Sequence, residues 1–254
     1  MPEIEGDTEA IILVKATPQV GQKHGETVCC AGVTLGGEWL RLYPITFRRL
    51  DDAKKFGRWN HVRFHWRKPK DDSRPESRRV DQESIEIIGK LAASERVKLL
   101  SNIEVTGLNA VIAQGKSFAL LRPQNPRFIV GRKSREEFAQ ERNDYEWICK
   151  QQDMFYQKDL IPLEPSPFKF KYHYQTDDGD REGTCQDWET DATFFNWSRR
   201  YGETEALKYM QRVFGDEYPR KGMVFAMGTH SRYPEIWLIN GVIRMDESAQ
   251  DSLF

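Results

Sequence analysis

Short apolar segments with strand periodicity, each closed by a turn, set the strongest limit on what this chain can fold into. AIILVKA (10–16), TVCCAGVT (27–34), EWLRLY (38–43), NHVRFHW (60–66) and FKFKYHYQ (168–175) are too short for buried helices. They are rich in β-branched and aromatic residues. In the third, Trp39, Arg41 and Tyr43 share one face and Leu40 and Leu42 the other, after a Gly36-Gly37 turn and before Pro44. In the fourth, Val62, Phe64 and Trp66 oppose His61, Arg63 and His65. In the fifth, Phe168, Phe170, Tyr172 and Tyr174 oppose Lys169, Lys171 and His173. Further strands are expected at 83–88, 118–122, 127–130, 184–187, 223–229 and 235–243. Residues 1–8 are expected to fray, 17–26 and 68–79 to be loops, 47–56 a short helix or turn, and 177–183 a hairpin turn. Helices are expected at 94–101, with Ser94 as a cap, at 190–200 and at 203–214.

Many short strands with few helices predict a mainly β, α+β fold rather than an alternating α/β sheet. Residues 140–167 are polar and then proline-rich (IPLEPSPF), which reads as a boundary. The expected organisation is a basic-faced β lobe at 9–140, an α+β lobe at 160–245 and a flexible tail at 246–254.

Net charge is -1, so total charge does not announce a nucleic-acid binder. Its distribution says more: residues 48–79 hold twelve Lys/Arg against five Asp/Glu. Arg41, Tyr43, Arg58, Arg63, His65, Trp66 and Arg67 combine cations with aromatic platforms and are the candidate nucleic-acid contacts, with Arg41 and Arg63 expected on the surface. Trp39 and Trp66 also suit a core. A second constellation is acidic: Asp177, Asp178, Asp180, Glu182, Asp187, Glu189 and Asp191, with His173 nearby. Converging carboxylates could hold Mg²⁺ for strand cleavage, which makes Asp187, Glu189 and His173 the catalytic candidates. The alternative is a solvated turn followed by a helix cap at Asp187 or Thr190. Outside that nuclease reading no cofactor or metal is expected. Cys29, Cys30, Cys149 and Cys185 form no CxxC pair and read as reduced thiols, with Cys29 and Cys30 on opposite strand faces. His230, in GTHSR, reads as a turn residue. No secretory leader and no apolar run of about 18 residues is present, so a cytoplasmic, nucleoid-associated protein without membrane contact is expected.

Two resemblances sharpen this reading. Gln250-Asp251-Ser252-Leu253-Phe254 resembles the bacterial sliding-clamp-binding pentapeptide. That motif has Gln first, a small or acidic residue third, Leu fourth and an apolar residue fifth. Leu253 and Phe254 would enter an apolar pocket while Gln250 fixes register and Ser252 fills the small position. Asp251 departs from the Leu often found second. Residues 10–44 resemble the opening of bacterial dual OB-domain proteins, through His24, Gly25, Cys30, Ala31, Gly32, Gly37, Glu38, Trp39, Leu40 and Arg41. That likeness implies two small OB-like barrel lobes and single-strand binding. Together they imply a nucleic-acid-binding protein recruited to the DNA sliding clamp in replication, repair or genome defence. The rivals are a clamp-recruited metal-dependent nuclease and a non-catalytic adapter.

Overall fold

The computed structural model describes residues 4–21, 25–153 and 161–246, and within them the fold is mainly strand with a few helices. The first half contains β1 (Glu5–Lys15), β2 (Gln19–Gly21), β3 (Gly25–Val33), β4 (Trp39–Ile45), β5 (Asn60–Arg67), β6 (Ser77–Val80) and β7 (Glu86–Lys90). Neighbouring strands run β1-β3-β4-β6-β5, and β5 returns to pair with β1 from Glu5↔Arg67 to Ile11↔His61. These five strands therefore close into a barrel, which leaves no edge within the ring. β7 adds outside it on β5.

Residues 10–14 explain the closure. Ala10 and Ile12 point into the barrel with Val28, Cys30, Leu40, Leu42, Val62 and Phe64. Ile11, Leu13 and Val14 point outward, yet are equally buried against Phe118, Leu120, Val224 and Ala226 from the second half. A strand covered on both faces must be apolar at every position, hence the unbroken AIILV. Cys30 faces the barrel core and Cys29 the other side, and none of the four cysteines is in a disulfide. β1 and β3 approach so closely at Gly32 that a Cβ there would lie 2.5 Å from the Ile11 carbonyl oxygen.

The second half continues through α1 (Ala93–Ser101), β8 (Glu104–Val105), α2 (Asn109–Ala113), β9 (Phe118–Leu121), β10 (Gln124–Arg132) and α3 (Arg135–Asp153). It ends with β11 (Phe168–Thr176), β12 (Gly179–Thr184), α4 (Trp188–Tyr201), α5 (Glu203–Met210), a π-helical stretch at 211–217, α6 (Tyr218–Lys221), β13 (Met223–Thr229) and β14 (Trp237–Arg244). One sheet runs β10-β11-β12 and another β14-β13-β9-β8. They meet where Cys185 bridges Ile239, and Asp177 N–H donates to the Thr106 carbonyl just beyond β8. Phe168, Phe170, Tyr172 and Tyr174 are all buried, as their alternation requires, and pack with Phe128, Phe194, Phe214 and Phe225. Each such side chain contributes about 1.5–3 kcal/mol on leaving water.

Several boundaries differ from the sequence expectation. Residues 5–8 do not fray, because β5 supplies their hydrogen-bond partners. β2 lies in the expected loop, paired with β3. β4 continues through Pro44 to Ile45. The charged segment 68–79 ends in β6, which pairs parallel with β4 and antiparallel with β5. Ser94 does not cap α1, whose cap position is Ala92. The polar stretch from 140 is helical through Asp153, because α3 packs Tyr145, Ile148 and Cys149 inward. The hairpin turn is only Asp177-Asp178, with Gly179 at φ 110° already in β12. No helix among the described residues is long and apolar enough to cross a membrane.

Candidate nucleic-acid interface

The basic stretch does not form one face. On the outside of β5, the register with β1 sets Glu9 opposite Arg63 and Asp7 opposite His65. Arg63 donates to Glu9 at 2.7 Å and lies 3.5 Å from Glu86. His65 Nδ1 is 3.0 Å from Asp7, and His61 Nε2 is 3.0 Å from Glu9. Each basic side chain of this row already faces an acid, which leaves little field for a ligand. Arg67 is exposed at the end of β5. Trp66 is half-buried, with the Arg78 guanidinium 4.2 Å over its ring.

Arg58 is withdrawn from the surface. It donates to the Leu13 and Val242 carbonyls, each at 3.0 Å, and pairs with Asp187 at 2.9 Å and Glu189 at 3.1 Å. It is an internal tie rather than a ligand contact, because the start of α4 presents two carboxylates to it.

Arg41 is also buried, contrary to the expected surface position, with 3% of its area exposed. The alternation along β4 holds, but the face of Trp39 and Arg41 is covered by the second half: Trp39 stacks on Phe118 at 5.0 Å, and the Arg41 guanidinium sits 4.2 Å from the same ring. Arg41 donates to the Ser117 carbonyl at 3.3 Å, to Ser117 Oγ at 3.2 Å and weakly to Cys29 Sγ at 3.7 Å. Its Nε has no acceptor, and no carboxylate among the described residues lies within ion-pair distance of it. Burial pulls its pKa down.

Arg41 and Tyr43 line a cleft of about 920 Å³ between the barrel and the β13–β14 hairpin. β6 and the segment before it bring Arg74, Arg78 and Arg79 to one wall. The loop after β13 brings His230, Arg232 and Tyr233 to the other. Asp72 grips Arg74 through two hydrogen bonds of 2.8 and 2.7 Å and accepts from Ser77 Oγ at 2.6 Å. Burial raises the Asp72 pKa, but these donors outweigh it and hold the group at about 2. Arg74 in turn donates to the Thr229 carbonyl at 3.2 Å, across the cleft floor. Arg79 lies 3.9 Å from Asp71, and Arg232 is exposed. His230 is a turn residue: its Nδ1 accepts from the Arg232 and Tyr233 amides, and its ring stacks 5.2 Å from the 54% exposed Tyr233. Of the seven sequence candidates, then, only Arg41 and Tyr43 reach the cleft. Arg74, Arg78, Arg79, Arg232 and Tyr233 were missed. The four-residue β6 is too short to show alternation, and nothing local links residue 79 to residue 232.

The acidic constellation is dispersed. Asp187 caps α4 by accepting from Glu189 N–H at 3.1 Å, and also accepts from Val242 N–H at 2.8 Å. Burial raises the Glu189 pKa against the pull of Arg58. Asp177 accepts from Gln124, Asp178 from the Leu108 and Asn109 amides, Glu182 from Lys171, and Asp191 from the Thr17 hydroxyl at 2.6 Å. His173 lies on β11 in register with Arg127 and Glu182. Among the described residues no three His, Cys, Asp or Glu side chains gather in a metal-holding group. Gln250, Ser252, Leu253 and Phe254 lie outside the described residues.

Two family models match the chain. One, described as Domain of unknown function (DUF8758), covers residues 7–102; the other, Domain of unknown function (DUF8757), covers residues 104–254. The cleft draws one wall from each matched stretch. No curated protein and no solved structure matches.

Proposed function

We propose that this chain, which belongs to the DUF8757 family through a match over more than half its length, is a nucleic-acid-binding protein brought to a bacterial DNA sliding clamp by residues 250–254. It would act in the cytoplasm at the nucleoid, in replication, repair or genome defence. The observation that carries the binding reading is the cleft, where five guanidinium groups face two carboxylates beside Tyr43 and Tyr233. Guanidinium donors suit phosphate oxygens, and aromatic faces suit unstacked bases without regard to sequence. The closed five-stranded barrel is compatible with an OB-type binder. The clamp reading rests on the spacing of Gln250, Leu253 and Phe254. The nuclease alternative gains no support from Asp187 and Glu189, which both pair with the buried Arg58.

Titration of single-stranded oligonucleotides with the full chain tests the first part. Affinity should fall about tenfold or more between about 50 and 200 mM salt, as a few phosphate contacts require. Arg79→Glu with Arg232→Glu should weaken it further. Binding that ignores salt and both substitutions would refute the cleft. Titration of purified clamp with wild type and with a Leu253→Ala, Phe254→Ala double variant tests the second part. Each anchor should contribute about 2 kcal/mol or more, enough to abolish a modest interaction. Equal affinities would remove the clamp from the proposal, and clamp binding without nucleic-acid binding would make the chain an adapter.

A further inference from the structure

Resting on the reading of the cleft as the nucleic-acid site, we infer that its floor seats a terminal phosphate monoester, carried by a nucleotide or by a strand end, with Arg41 as the buried counter-charge.

A buried guanidinium is costly unless a carboxylate neutralises it. Arg41 is 3% exposed, has only neutral hydrogen-bond partners, and leaves Nε without an acceptor. Thr229, 7% exposed and lining the same floor, leaves its hydroxyl Oγ1 without a partner as well. Arg41 and Thr229 both contact Ser117: Arg41 donates to its carbonyl, and Thr229 N–H donates to the same oxygen at 3.0 Å. The acids around Arg41 are engaged by other donors: Asp72 accepts from Arg74 and Ser77, and Glu76 accepts from the Ser117 amide and hydroxyl, at 2.8 and 2.6 Å. Among the described residues the fold thus holds one buried cation with no carboxylate in ion-pair range and one idle hydroxyl, both against Ser117 beneath an open cleft, where an anion entering from solvent would meet them.

The form of that anion follows from charge and shape. The cleft walls carry three more guanidinium groups than carboxylates, and Glu76 below the floor reduces the excess to two. A phosphate monoester carries about -1.5 to -2 at neutral pH, whereas each internal diester carries a single charge. The residues at the bottom are buried: Arg41, Ser77, Thr229 and Asn240 are 2–7% exposed. The cleft therefore has a closed floor beneath its open mouth, onto which a chain end can point its terminal phosphate. Tyr43 and Tyr233 higher on the walls offer faces for the attached base. A volume of about 920 Å³ lies within the range of about 300–1,000 Å³ that small-ligand sites occupy.

The test uses the full chain and fluorescently labelled single-stranded oligonucleotides of one sequence, ending in 5′-phosphate, 3′-phosphate or hydroxyl at both ends. Adenosine monophosphate, adenosine and inorganic phosphate serve as competitors. One terminal phosphate should tighten binding by about tenfold, the worth of a charge-assisted contact made only by that group. Adenosine monophosphate should compete and adenosine should not. Arg41→Met should erase the difference between phosphorylated and hydroxyl ends. Because that substitution lies in the interior, Arg232→Gln on the exposed wall provides a second variant, expected to reduce the difference without touching the core. Equal affinity for all three ends would overturn the inference while leaving nucleic-acid binding intact. Competition or direct binding by adenosine monophosphate, with no oligonucleotide bound, would uphold the phosphate seat and refute the nucleic-acid reading. Binding of neither would overturn both.

Discussion

Arg58 and Arg41 both lie between the barrel and the second half, and their charges are met in opposite ways. Arg58 closes on Asp187 and Glu189 and on two main-chain carbonyls. Arg41 has a serine, a thiol and an aromatic face. Burial acts against the charged form of each. For Arg58 the two carboxylates outweigh it and raise the pKa, whereas for Arg41 nothing does and the pKa falls. The difference separates a guanidinium whose work is finished when the chain folds from one whose balance is completed by something outside the chain.

That comparison can be broken most directly at Arg58. Arg58→Ala leaves two inward-facing carboxylates without their cation and should cost about 3–5 kcal/mol, read as a lowered midpoint in urea denaturation. Arg41→Met removes a cation that no carboxylate relies on. The hydrogen bonds lost to Ser117 offset the relief of desolvation, so stability should change by about 1 kcal/mol or less in the same assay. A loss as large as that of Arg58→Ala would mean that both arginines are structural ties.

Asp191 applies the same rule to an acid. Burial lifts its pKa to about 6 from 3.8, with the Thr17 hydroxyl only partly opposing. A folded pKa above the unfolded one means that the native state holds the proton more tightly. Its contribution to stability is therefore present below about pH 4 and is lost as pH rises through about 6. Asp191→Asn keeps an acceptor for Thr17 and lacks this loss. Its melting temperature should gain on wild type between about pH 4 and 7, and then run parallel. A constant difference across that window would show that Asp191 is ordinarily solvated. The smallest effect is expected on the outside of β5. Arg63→Gln should leave both the melting temperature and oligonucleotide affinity unchanged within error, because Glu9 and Glu86 already occupy that charge. A clear loss of binding would return the interface to that face.

What could be read from the residues was whatever a strand's own periodicity records. The doubly buried run at 10–14, the aromatic face of 168–174 and the division of Cys29 from Cys30 all follow from local pattern. Arg41 shows the limit: its place on one face of β4 was legible, but its partner Ser117, just before the covering strand β9, comes 76 residues later. Arg58 is less legible still, since its partners stand 129 and 184 residues away. The carboxylates at 187 and 189 resembled metal ligands because a helix start that caps itself and receives an arginine has the same local composition as one that binds a cation. β6 was hidden by its charges, which belong to the cleft rather than to a solvated loop.

The two-sided burial of β1 also sets a timetable for synthesis. The ring of five strands is complete once Val80 has left the ribosome, but Val224, Ala226 and Ile243, which cover the outer face of Ile11 and Leu13, come more than 140 residues later. At about 5–20 residues per second, that is roughly 7–30 s in which a finished barrel lacks part of the cover of its apolar outer wall. Over that interval the nascent chain is a natural client for a chaperone, and the wall is the surface such a chaperone would hold.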